Sequence, residues 1–314
     1  MVERQDRLRS FMAVRTTSPR PMRSRETTAT GWLWISPWLV GFVVFLLIPM
    51  GMSLYYSFTD YPLLEKPVWI GLDNYTRMFR DDVFVGAVLK TALFAGIYIP
   101  IATVVALLLA SMLTTRRRSE GFFTSAVFLP TLVPMAASAM VWLWLLNGEH
   151  GLINRSLRWL GLTGPNWLTD TRWVMVSIVL ISLWGVGQMV VTYVAALKDV
   201  PEQLYEAAEL DGMGPMRRFF AVTLPMISPV ILFNVITLTI GTLQVFVIPY
   251  IITKATPGGD PRAMYFYTMY MYDNAFVYSQ MGFASAMAWV QVIVTLVLTG
   301  LMFVASKRAV YYRN

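Results

Sequence analysis

The 314-residue chain has no cysteine and a single histidine, His150. Lack of cysteine excludes a disulfide framework, thiolate chemistry and Cys-ligated metal. One histidine cannot make a His-Glu-x-x-His zinc site, and the apolar runs contain none to pair with a serine. Gly-x-Ser-x-Gly is also missing, which removes the common serine-hydrolase elbow. None of the five lysines follows a glycine, so there is no P-loop and no ATP hydrolysis by this chain alone. Charge is scarce: 14% of residues are charged and 56% hydrophobic, against about a quarter charged in a soluble domain. An ordinary globular enzyme is excluded.

The missing charge is organised. Six long runs carry none at all, over 27–59, 91–115, 121–148, 173–197, 219–253 and 274–306, and every other uncharged run is 11 residues or shorter. About 20 apolar residues in a helix cross the hydrocarbon layer, and each run supplies them. The runs are continuously apolar rather than alternating, so they read as helices and not as a barrel. The expectation is an all-α polytopic membrane protein. Its six transmembrane helices are expected near 32–56, 89–113, 121–146, 173–197, 220–250 and 283–306. A basic tail, 1–31, is expected to be disordered, and 32–314 to form the membrane domain.

Basic residues set the orientation. The tail, the 114–120 loop with Arg116, Arg117 and Arg118, the 198–218 loop and the C-terminus together hold 16 of the 25. The alternate loops hold eight. Positive residues stay inside, which places both termini in the cytoplasm and attributes the net +7 to loops and lipid rather than nucleic acid. Trp32, Trp34 and Trp38 at one end of the first run, and Tyr55, Tyr56 and Tyr61 at the other, suit interfacial anchoring. The first run is too long for a signal peptide, and Met50-Gly51-Met52-Ser53 is no small-x-small cleavage site. No carboxylate or base lies inside any run, where a proton- or sodium-coupled carrier usually keeps one. The third outer loop, roughly 251–282, is dense in turn formers over Lys254–Arg262 and then becomes aromatic, with Tyr265, Phe266, Tyr267, Tyr270 and Tyr272.

The segment between runs four and five, 199–224, is distinctive. Pro201 can open a helix with Asp199 as its cap, and Glu202 suits the positive end. Gly212 can close it at positive φ, and a second helix starts near Pro215. Leu204, Ala207, Ala208 and Leu210 are small or apolar, while Glu206, Glu209 and Asp211 are acidic. Adjacent alanines permit close approach by a protein surface, and the glutamate can pair with a basic group there. A helix packed only on its own protein fits equally well.

Glu206-Ala207-Ala208, then Gly212 after three residues, then Val222 and Leu224-Pro225, closely resembles the EAA signature of membrane subunits of ATP-binding-cassette importers. Pro229, Gly71-Leu-Asp-Asn-Tyr75 and Ser306-Lys-Arg-Ala-Val-Tyr-Tyr312 resemble the carbohydrate-importing branch. The likeness runs from about residue 32 to the C-terminus and matches the shorter, six-helix members rather than the maltose-type subunit with a large external domain. It implies a type I importer permease of a bacterial or archaeal plasma membrane, not itself an enzyme. It implies no cofactor in this chain, with ATP and Mg held by partner ATPases. Implied partners are a second homologous permease, a cytoplasmic ATPase dimer, an extracytoplasmic solute-binding protein and a carbohydrate. Glu206, Ala207, Ala208 and Gly212 would dock the ATPase, Asp211 would brace the turn, and Leu224-Pro225 would set the elbow into the fifth span.

A sugar path needs polar and aromatic groups. Candidates are Trp184, Gln188, Thr192 and Tyr193 on the fourth run, Asn234, Thr237, Thr239, Thr242 and Gln244 on the fifth, and Gln291 on the sixth. Each threonine also suits helix–helix hydrogen bonding. Gln188, Asn234 and Gln244 are the stronger cavity candidates, because an unpaired amide is costly in lipid. Pro225, Pro229 and Pro249 are expected to kink the fifth run. Alternatives stay open: a self-contained secondary transporter or channel, or the same architecture serving a solute such as glycerol-phosphate.

Overall fold

A computed structural model describes residues 24–114, 120–256 and 264–309. The basic tail through residue 23, Arg116–Arg118, residues 257–263 of the third outer loop and the extreme C-terminus lie outside the described residues. The chain divides into two compact units, 1–52 and 53–314.

The described part of the first unit is helical. Helix α1, Ser24–Phe42, passes through a π turn at Val43–Leu47 into α2, Ile48–Ser57. Pro37 sits inside α1 and has no N–H to give the carbonyl of Leu33. Ser36 Oγ donates to that carbonyl instead, at 2.8 Å, so the helix continues without an orphaned acceptor. Trp32, Trp34 and Trp38 are exposed, and Trp38 stacks on Phe42 at 5.3 Å.

The second unit opens with a two-residue hairpin. Thr59–Asp60 (β1) pairs antiparallel with Val68–Trp69 (β2), and α3, Asp73–Arg80, follows. Asn74 is buried and donates to the carbonyls of Ser57 and Thr59 at 3.0 and 2.9 Å. The Gly71–Tyr75 motif thereby pins the loop to the end of α2. The remaining helices are α4 (Asp82–Thr114), α5 (Glu120–Phe128, extended by a 3₁₀ turn to Leu132), α6 (Met135–Leu145), α7 (Leu152–Trp159), α8 (Thr171–Leu183) and α9 (Gly187–Lys198). Then come α10 (Glu202–Leu210), α11 (Pro215–Arg218), a π turn at Phe219–Thr223, α12 (Leu224–Leu243) and α13 (Val247–Ala255). Finally α14 (Tyr267–Tyr272) passes through a π turn at Asp273–Val277, and α15 covers Met281–Ala309.

Four helical stretches are long and apolar enough to cross a membrane: Thr30–Ser57, Asp82–Thr114, Pro215–Ala255 and Met281–Lys307. Two bent pairs bring the number to six, Glu120–Leu132 with Met135–Leu145 and Thr171–Leu183 with Gly187–Lys198. The six expected runs are all present. The third and fourth, expected as plain helices, are broken by 97° and 52°. Pro134 explains the first break, since Val133 before it is held extended (ψ 128°). Pro229, by contrast, lies inside α12 without ending it. Ser228 Oγ donates to the carbonyl of Pro225 at 2.6 Å, taking the acceptor that Pro229 leaves free. The break in the fifth run falls later, at Gln244–Phe246.

Packing centres on α4. Phe94, Tyr98, Ala102, Ala106 and Ala110 recur every four residues, all buried. They form one buried stripe, two aromatic rings followed by three alanines, on which α9 lies with Val190, Tyr193 and Val194. Gly187 brings α9 onto the third run: a Cβ there would stand 2.4 Å from the carbonyl oxygen of Val127 and 2.9 Å from Phe128 Cα. A second core joins Met78, Phe84, Tyr267, Tyr270, Phe283 and Met287.

Candidate functional site

Two features carry the argument: the 199–225 segment and an internal chamber. In the segment, α10 begins after Pro201, which itself occupies the cap position (φ −60°, ψ 131°) and supplies no side-chain cap. Asp199 instead ends α9 in a helical conformation. The expected Asp199 cap therefore does not form, because the residue is still committed to the preceding helix. Gly212 closes α10 at φ +71°. Its N–H reaches the carbonyl of Glu209 at 3.0 Å, and the N–H of Met213 reaches Ala208 at 2.9 Å. This is a Schellman closure, which needs a left-handed residue at that position. Gly214 and Pro215 then start α11, with proline in the first turn, where its missing N–H costs nothing.

Glu206, Ala207, Asp211 and Gly212 are exposed, whereas Ala208 is buried. The adjacent alanines therefore divide their work, one facing the chain's own core and one facing out. Leu210 is 90% exposed beside them, an apolar side chain left uncovered by this chain. Leu224 and Pro225 are half-buried and continue helically from the π turn, while the turn between α10 and α11 lies at Asp211–Gly214. Tyr205 ties the two helices together. Its hydroxyl lies 3.1 Å from that of Thr223, and the Arg218 guanidinium sits over its ring at 5.5 Å. Behind the tie is a polar cleft of about 460 Å³, walled by Glu120, Lys198, Glu202 and Arg218 among others. Lys198 pairs with Glu120 across it at 2.5 Å.

The chamber measures about 530 Å³. Its wall contains the break of the third run (Pro130–Met135), that of the fourth (Ile181–Gly185) and that of the fifth (Gly241–Ile248), with Phe94 and Tyr98 of α4 opposite. Broken helices in an apolar region must have their freed carbonyls satisfied, and side chains do so here. Tyr98 Oη donates to Ser182 at 3.0 Å, Gln291 Nε2 to Leu243 at 2.7 Å, and Thr131 Oγ1 to Phe128 at 2.6 Å. The lining is mostly apolar, with four aromatic rings, several hydroxyls and one amide, Gln244; among the described residues it has no carboxylate, amine, guanidinium or imidazole.

Of the sequence candidates, Trp184, Thr242 and Gln244 share this wall. Trp184 also meets Trp142 edge-on at 5.7 Å. Gln188 is exposed and stands outside the lining. Asn234 is buried but donates to Val230 within its own helix at 2.9 Å. Tyr193 is wholly buried in the α4–α9 packing, and its hydroxyl has no partner among the described residues. Gln291 splices the break rather than facing the chamber, and Thr192 and Thr237 bond back to Gln188 and Phe233. Sequence reading passed over Tyr98, Thr131, Ser138 and Phe246. For Thr131 and Ser138 the signal was proximity to Pro130 and Pro134, where the third run is interrupted; Tyr98 and Phe246 have no such neighbour in the sequence.

At the end remote from the 199–225 segment, two tyrosine–carboxylate pairs lock the chain. Tyr270 donates to Asp81, and Tyr265 donates to Asp273 at 2.6 Å. Burial, and then the hydrogen bond to Asp81, push the Tyr270 hydroxyl up to about 12. Burial and the Asp273 carboxylate raise Tyr265 further.

Comparison with known proteins agrees with this geometry. Residues 98–310 match the family described as binding-protein-dependent transport system inner membrane component. The chain is 34% identical over 294 residues to the probable ABC transporter permease protein YesP of Bacillus subtilis (strain 168), spanning 92% of this chain and 94% of that one. It is 33% identical over 297 residues to the lactose transport system permease protein LacF of Rhizobium radiobacter, spanning 93% and 98%. A chain in the crystal structure of a bacterial alginate ABC transporter, in complex with alginate pentasaccharide-bound periplasmic protein, superposes with a TM-score of 0.80 at 23% identity. The superposition covers 92% of this chain and 98% of that one, a likeness of fold.

Proposed function

The chain belongs to the binding-protein-dependent transport system inner membrane components, the permease subunits of ATP-binding-cassette importers; from that premise we propose that it forms part of the translocation path of a carbohydrate importer. The observation that carries this reading is the chamber where three broken helices meet. Its lining offers aromatic faces, hydroxyls and an amide, the chemistry that stacks against sugar rings and bonds their hydroxyls, with no cation to hold a phosphate. The name of the lactose permease relative supports it. Trp184, Thr242 and Gln244 are the path residues, with Gln188, Asn234 and Tyr193 supporting the helices around them.

Energy enters through α10. Glu206, Ala207 and Leu210 face a cleft of a cytoplasmic ATPase, and Gly212 fixes the helix end. The Tyr205–Thr223 tie passes displacement into α12, which carries the chamber's Thr242 and is capped by Gln244. A motion is transmitted only by a rigid element with two positions. The partners on this reading are an ATPase dimer binding ATP and Mg, a second permease and an extracytoplasmic binding protein, in a bacterial or archaeal plasma membrane. Both termini are cytoplasmic, on the side of the excess basic residues.

Mild-detergent purification of the tagged chain tests this. A P-loop ATPase and a second permease should co-purify and be lost on Glu206→Lys. Vesicles containing the complex should take up a neutral sugar only with ATP. Uptake by this chain alone, without nucleotide, would establish the secondary carrier instead, and ATP-driven uptake of glycerol-phosphate in place of sugar would overturn the substrate class.

A further inference from the structure

The chamber is not the only cleft with sugar-binding chemistry. At 1.5 Å per residue, Phe246 lies about 35 Å along the fifth span from Thr223. There it borders the chamber on one side and a second cleft of about 280 Å³ on the other. Phe246, Tyr272 and Phe276 supply the aromatic wall of this second cleft, and Ser53, Thr268 and Ser285 supply hydroxyls. The rings form a file: Phe246 to Tyr272 at 5.0 Å and Tyr272 to Phe276 at 5.0 Å, both tilted by 44°. Tyr250 backs the file. It stacks on Phe246 at 4.9 Å, meets Tyr272 edge-on at 5.4 Å and has the Lys254 ammonium 5.6 Å from its ring. Tyr250 lines neither cleft, so it holds Phe246 in place rather than contacting a ligand.

The backbone at this point is irregular on both sides. Phe246 stands in the helix break at φ −141°, ψ −55°, and Phe276 is carried on the π turn Asp273–Val277. A π turn inside a helix is frequent at functional sites. Phe276 is 61% exposed, a large aromatic side chain that core packing does not explain.

From this geometry we infer a second carbohydrate subsite, formed by Phe246, Tyr272 and Phe276, that receives a neutral sugar ring before it enters the chamber. The inference rests on the carbohydrate reading of the chamber and extends it. Sugar C–H faces suit the three rings in a cleft whose surface is almost wholly apolar, and among the described residues its lining has no charged side chain that would require an ionic group. Phe246 is shared by both clefts, so a ring leaving one is still in contact when it meets the other. A ligand of two linked rings reaches across this shared wall, while a single ring occupies one cleft at a time.

The test uses the purified complex in lipid nanodiscs with lactose, maltose and glucose as probes, and glycerol 3-phosphate as a non-sugar control. Binding and uptake are measured for Phe276→Leu, Phe276→Tyr, Tyr272→Leu and Trp184→Leu. Aromatic pairing is worth about 0.5–1.5 kcal/mol, so Phe276→Leu should weaken disaccharide binding about 2- to 10-fold and glucose binding less, while Phe276→Tyr binds as the parent does. If Phe276→Leu and Tyr272→Leu both behave as the parent while Trp184→Leu weakens uptake, the cleft is idle and the carbohydrate reading survives. Equal losses for Phe276→Leu and Phe276→Tyr would overturn ring stacking. If the parent takes up only glycerol 3-phosphate, the carbohydrate reading falls and the subsite falls with it.

Discussion

Replacement of Gly212 isolates backbone strain from every other effect. The residue sits at φ +71°, and a Cβ built on it meets nothing within 4 Å. Its cost is therefore conformational, with no steric share. Holding an L-residue left-handed costs about 1–2 kcal/mol, whereas escaping to a right-handed conformation breaks two closing hydrogen bonds, at 3.0 and 2.9 Å, worth about 0.5–1.5 kcal/mol each. The two routes cost about the same, so the turn opens in a sizeable fraction of molecules. At 1.4 kcal/mol per tenfold, the ratio of closed to open turns falls about 5- to 30-fold. Gly212→Asn should stay close to the parent, since asparagine tolerates the left-handed region. Gly212→Ala should lose coupling, and Gly212→Val should lose more. The assay is sugar delivered per ATP consumed in vesicles, with membrane insertion checked in parallel. Expected is a graded fall in that ratio with unchanged insertion. Equal coupling for Gly, Asn, Ala and Val would refute the argument that α10 must be rigidly closed to transmit motion.

Three further outcomes follow from the packing. Gly187→Ala puts a methyl 2.4 Å from a backbone oxygen of the third run, so overpacking should cost about 1–3 kcal/mol and lower the melting temperature in detergent. Tyr205→Phe leaves the buried Thr223 hydroxyl without its partner, at about 0.5–1.5 kcal/mol; in a double-mutant cycle with Thr223→Val, scored by melting temperature, the losses should fail to add. The folded state keeps the Tyr270 proton up to about pH 12, whereas the unfolded chain releases it near 10. Stability is therefore full below pH 10 and declines as pH rises toward 12, and Tyr270→Phe should flatten that alkaline limb in a pH series of melts.

The six spans were legible because membrane burial excludes charge, and the boundaries of the uncharged runs fall within a few residues of the helix ends except at two starts: the second helix begins at Asp82, ahead of the run from 91, and the sixth at Met281, inside the run from 274. The Gly212 closure was legible too, since one residue type dominates that backbone position. What hydropathy could not show is direction. Helices bent by 97° and 52° read as continuous apolar runs, and the prolines that drew notice were those of the fifth run, where Ser228 repairs the damage. Pro134 and Gly185, beside the true breaks, lie in equally apolar surroundings. The amide argument likewise had no means of separating residues by partner. Asn234 meets its need within one helix turn, Gln188 lies at the surface, and Gln244 reaches the chamber because the helix stops there.

The uncharged wall of the chamber has an electrical consequence. A charge crossing a membrane gains or loses about 2.3 kcal/mol per 100 mV, so a transporter whose moving parts or cargo are ionised works with or against the cell's voltage. The described lining here has only dipoles: hydroxyls, an amide, indole and phenol edges, and the ends of interrupted helices. Swinging such groups from one face to the other displaces little net charge. With a neutral cargo, the work done in a cycle is then set by the nucleotide alone, and clamping vesicles at 0 or −100 mV should leave the uptake rate unchanged.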